Sequence, residues 1–89
     1  MARIKITPEQ VRQVASQFAQ SASQSEEMVA RLTNAINSMQ SEWEGMTSQR
    51  FYSDFQQWSA QMKQFTELLK SINQQLNQIA DRFAAADQQ

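Results

Sequence analysis

The sequence predicts an all-α fold: an antiparallel helical hairpin (helix-turn-helix) that dimerises into a four-helix bundle. Three observations predict it. Gly45 is the only glycine and Pro8 the only proline, so the strongest breakers of regular structure each occur once. On both sides of Gly45, apolar residues recur at steps of three and four, the period of one helix face. Neither seam is laid out in the apolar–polar alternation of a half-buried strand. These signals place one domain over residues 1–89, with a first helix over about 8–42, a turn over about 43–47 and a second helix over about 48–86.

Residues 1–6 form a short tail. Thr7-Pro8-Glu9-Gln10 then reads as a helix start. The Thr7 hydroxyl can accept from the Gln10 N–H while the Gln10 side chain reaches back. Pro8 at the first helical position loses no hydrogen bond. Val11, Ala15, Phe18, Ala22, Ser25, Val29, Leu32, Ile36, Met39 and Trp43 carry the seam, a heptad pattern interrupted by one serine. Gly45 can close the helix in a left-handed conformation, and Thr47 or Ser48 can cap the next one. Glu42 and Glu44 stand at the negative end of the first helix, a mildly unfavourable place.

The second run is cleaner. Phe51, Phe55, Trp58, Met62, Phe65, Leu69, Ile72, Leu76, Ile79, Phe83 and Ala86 continue without a break. Val14, Met28 and Ala35 flank the first seam, and Tyr52 and Leu68 flank the second. Two helices cannot cover both seams and flanks. A second hairpin can, which is the reason to expect a four-helix bundle.

Composition excludes several functions. The net charge is −1, and the eight basic residues are scattered from Arg3 to Arg82; nucleic-acid binding needs a clustered positive surface. With no cysteine or histidine, disulfides, thiol chemistry and the common zinc sites are excluded. No calcium-loop pattern occurs, so no metal or other cofactor is expected. No carboxylate stands in an evident apolar pocket, and Glu26 and Glu27 are adjacent and do not converge on one helix face. No enzyme activity is expected. The N-terminus lacks the apolar core of a secretory signal, so export by that route is not expected.

These residues resemble the WXG family of small secreted proteins, the EsxA-like or early-secreted-antigen-like proteins. The likeness rests on the Ile6-Thr7-Pro8-Glu9 opening, Trp43-Glu44-Gly45 near mid-chain, Phe51 and Phe55 soon after, and the stretch from Ser71 to Ala80. It implies a non-enzymatic substrate of type VII (ESX or Ess) secretion in Gram-positive bacteria. Such proteins are cytoplasmic before export, leave folded as a dimer and become extracellular. A membrane-bound ATPase of the FtsK/SpoIIIE type recognises them. The family's second signal is a C-terminal Tyr-x-x-x-Asp/Glu. Here Phe83 and Asp87 match it in position, with Phe for Tyr; the only tyrosine, Tyr52, is followed four residues on by Gln56 and does not fit.

The residues thus carry plain and sharp roles together. Trp43 plugs the wide end of a hairpin and, by the resemblance, contributes to recognition. Gly45 serves the backbone. Trp58 and Phe83 lie on the seam, and Asp87 is a solvated charge outside any signal role. The expected partners are a second copy or a paralogue, the secretion ATPase, and a larger helical effector if the chain is an adaptor. Membrane activity after export is a further alternative, but the outer faces lack the basic residues of membrane-surface helices.

Overall fold

A computed structural model describes residues 6–42 and 46–87. Among the described residues there are two long helices and no strand. The first, α1, spans Pro8–Met39 and runs into a 3-10 turn at Gln40–Glu42; the second, α2, spans Met46–Asp87. Together they form a rod of 67 × 21 × 17 Å.

The start of α1 is a capping box. Thr7 has an extended backbone, and its hydroxyl accepts from the Gln10 N–H at 3.1 Å. The Gln10 side chain accepts from the Thr7 N–H at 2.9 Å. Two backbone donors that a helix start leaves unpaired gain partners. At the other end the helix tightens. The Gln40 N–H donates to the Asn37 carbonyl, and the Ser38 hydroxyl donates to the Ala35 carbonyl. A 3-10 turn supplies donors to carbonyls that an α-helix end leaves exposed. Because α2 begins at Met46, Thr47 and Ser48 stand inside its first turn and not ahead of it as caps. Trp43, Glu44 and Gly45 lie outside the described residues.

The helices run antiparallel, as four pairs between them show. Tyr52 reaches Ile36 near the turn, Thr66 meets Ser25 midway, Asn73 reaches Ala15, and Asp81 meets Arg12 at the open end. The buried contact between them is made of small side chains. Ala15, Ala22, Ala80, Ser25 and Thr66 are buried, together with Val11 and Leu69. Small side chains let two helix backbones approach closely, and dispersion contacts along the rod then hold them together.

The expected seam of α2, shared between core and dimer, does not all lie inside the hairpin. Phe65 and Ile79 are exposed in the single chain, and the positions next to them, Thr66 and Ala80, are buried. An α1 face built on Ala15 and Ala22 leaves no width for aromatic side chains. Tyr52, expected on the flank, turns toward α1 and donates its hydroxyl to the Ile36 carbonyl at 3.3 Å. On α1, Leu32 and Met39 belong to the apolar series yet are exposed.

Candidate functional site

The apolar residues of α2 fall into columns in which every seventh residue repeats. The inner column is Ser59, Thr66, Asn73 and Ala80, small or polar throughout. Beside it runs Phe55, Met62, Leu69, Leu76 and Phe83, of which Leu69 is buried and the others half-buried. Beyond that runs Phe51, Trp58, Phe65, Ile72 and Ile79. This outer column points past α1. Phe65 is 49% exposed and Ile79 39%, and Leu68, one step further round, is 56% exposed. From α1, Val14, Leu32 and Met39 are exposed, and Phe18 and Met28 are half-buried. Residues seven apart stay on one side of a helix in such a pair, so these side chains make one apolar face along the rod.

The inner column is polar but satisfied. The Thr66 hydroxyl donates to Ser25 Oγ at 2.9 Å, and Asn73 Nδ2 donates to the Ala15 carbonyl at 2.6 Å. No buried side-chain nitrogen or oxygen among the described residues lacks a partner. Near the turn, α2 carries an aromatic ladder. The rings of Phe51 and Phe55 stack at 6.2 Å and those of Phe55 and Trp58 at 5.4 Å, while Phe51 meets Tyr52 edge-on at 5.9 Å. Such pairs each add about 0.5–1.5 kcal/mol beyond the area they bury.

The opposite face is charged and wet. Arg12 pairs with Asp81 at 2.6 Å, and Lys70 lies 3.4 Å from Glu26 and 4.0 Å from Glu67. The side chains of all five stay about half exposed or more. An open groove lies there between Val29, Ala30, Ser59, Lys63 and Thr66. Among the described residues no three metal-ligating side chains gather, and no helix is long and apolar enough to cross a membrane. The arrangement suits the docking of another helical surface.

The structure divides the residues singled out in the sequence. Val11 and Leu69 are buried in the hairpin. Phe18, Val29, Ile36, Phe55, Trp58, Met62, Ile72 and Leu76 are half-buried, shared between hairpin and outer face. Leu32, Phe65 and Ile79 are exposed. Phe83 is half-buried near the end of α2. Asp87 closes α2, and its side chain, like Trp43 and Gly45, lies outside the described part. Thr66, Asn73 and Ala80 were missed as contact residues. Their seven-residue spacing was visible, but only in residues that are small or polar.

Comparisons with known proteins give the chain's relatives. The model of a family described as WXG100, proteins of 100 residues with WXG, matches residues 3–88. A type VII secretion system extracellular protein A from Staphylococcus aureus (strain USA300) is 38% identical over 89 residues, covering all of this chain and 92% of that protein. The crystal structure of a secreted protein, ESXB, from Bacillus anthracis str. Sterne superposes with a TM-score of 0.87 at 37% identity, over 98% of this chain and 99% of that one. Geobacillus thermodenitrificans EsxA also superposes with a TM-score of 0.87, at 32% identity, over 97% of this chain and 94% of that one.

Proposed function

The chain belongs to the WXG100 family, and from that premise we propose that it acts as a non-enzymatic substrate exported folded, as a dimer, by a type VII secretion system. Its place among secreted type VII proteins follows from its relatives. The observation that supports folded export in pairs is the apolar face of Phe65, Leu68 and Ile79. Exposed apolar area of this length is stabilised by a partner, and a rigid helical pair already fills the space beneath it.

Recognition by the FtsK/SpoIIIE-type ATPase of the system would use two places. One is the reversal at Trp43 and Gly45. The other is the end of α2, where Phe83 and Asp87 lie four apart and so share a helix side. In a dimer whose hairpins run opposite ways, the reversal of one copy approaches the α2 end of the other. A surface composed of Trp43 and Phe83 then exists only in the dimer, so an unpaired chain is not exported.

The test is secretion into the culture medium. Wild-type protein is expected in the medium of the parent strain and absent from it when the secretion ATPase is deleted. Trp43→Ala combined with Phe83→Ala is expected to stay in the cell while remaining a helical dimer. Export that is indifferent to the ATPase would overturn the function. Export of the double variant would overturn only the recognition surface.

A further inference from the structure

Asp54, Gln61, Leu68, Gln75 and Arg82 stand at every seventh position of α2, in a column bordering Phe65, Ile72 and Ile79. Turned end for end about Leu68, this column maps onto itself with its charges complemented. Aspartate falls on arginine, glutamine on glutamine, and leucine on leucine. Asp54 and Arg82 are exposed. At about 1.5 Å per residue they stand about 42 Å apart and cannot meet within one chain. Among the described residues, the ion pairs are Arg12 with Asp81 and Lys70 with Glu26 and Glu67; Asp54 and Arg82 take part in none of them.

Resting on the dimer reading above, we infer that a second copy of this chain docks on the apolar face with its α2 antiparallel to the first, the two-fold axis passing beside Leu68. Asp54 of each copy pairs with Arg82 of the other, once at each end, and these two pairs set the register and favour self-association. The same operation brings Phe65 to within one residue, about 1.5 Å, of the level of Ile72 of the other copy, and Trp58 equally near that of Ile79. Each bulky ring meets a smaller aliphatic side chain, as close packing of facing layers requires.

The first helix agrees. The bonds from Thr66 to Ser25 and from Asn73 to Ala15 put Leu68 level with Ser21 and Ala22. The two-fold axis therefore passes near Ser21, and Val14 comes opposite Met28 of the other copy. Ser21 leaves the centre free of bulk. The rod's 67 × 21 Å extent is larger than the roughly 800 Å² per partner of a stable interface.

Charge reversal tests the register on the full chain. Asp54→Arg and Arg82→Asp, each alone, set like charges together at both ends of a self-dimer. Each single variant is expected to raise the dimer dissociation constant roughly thirtyfold at low salt, the sum over two surface pairs turned from attraction to repulsion. Mixed in equal amounts, the two variants form a heterodimer with both pairs restored, and the affinity is expected to return near the wild-type value. Sedimentation equilibrium reads all three, with circular dichroism to follow helicity. A wild-type dimer matched by both single variants, or singles that weaken it without rescue on mixing, overturns the register and leaves the dimer reading in place. A wild-type chain that stays a helical monomer at high micromolar concentration overturns both.

Discussion

The two long faces of this rod are built from the same pair of helices and follow opposite rules. On one, Arg12–Asp81 and Lys70–Glu26 bridge the helices in contact with water. On the other, Phe65, Leu68, Ile79, Val14 and Leu32 are bare. The charged face is complete in one chain, whereas the apolar face is not. Exposed ion pairs are worth about 0–1 kcal/mol, because water already solvates both charges. Apolar area is worth about 25 cal/mol per Å² once it leaves water, and on a two-helix rod it has nowhere to go within the chain. The contrast supports our placing association on the apolar face and leaving the charged face to water.

The contrast is broken most directly at its centre. Leu68→Asp together with Phe65→Asp is expected to abolish the dimer, raising the dissociation constant at least roughly a thousandfold, since docking would bury unpaired carboxylates. Sedimentation equilibrium checks it. Dimer retention by this variant would show that association uses another surface. The melting temperature should also lose its dependence on protein concentration.

A smaller effect is expected at the layer between the faces. Thr66→Val removes the donor to a buried Ser25 hydroxyl and should cost about 1–2 kcal/mol in urea unfolding at fixed protein concentration. Adding Ser25→Ala should recover part of that loss, because no polar group is then left without its partner. Equal losses in the single and double variants would mean that the hydrogen bond is not what the layer contributes.

The smallest effect belongs to the charged face. Asp81→Ala should change stability by no more than about 1 kcal/mol, and less as salt is added. The dimer constant should not move. A large change there would put the charged face inside an interface and erase the distinction between the two.

Much of this was legible without coordinates. Thr7, Pro8 and Gln10 specify the start of α1 through local hydrogen bonds and a fixed backbone angle, so four residues suffice to read it. The uninterrupted three-four spacing of α2 specifies a helix because no other backbone presents those residues on one side. The surplus of apolar residues over what two helices can cover followed from counting flanks such as Val14 and Leu68. The signal role proposed for Phe83 comes only through resemblance, since spacing alone reads that residue as packing.

The sequence by itself determined that there are two helices, where the first begins, and that one face must remain greasy. It did not determine which apolar column turns inward. The columns of α2 that contain Phe65 and Leu69 are adjacent and equally apolar, and periodicity cannot rank adjacent columns. The tertiary structure decided, because the alanines of α1 bring the backbones close and Thr66 and Ala80 pack between them beside Leu69. That choice leaves Phe65 and Ile79 outward and exposed, on the face where we propose that a second copy docks.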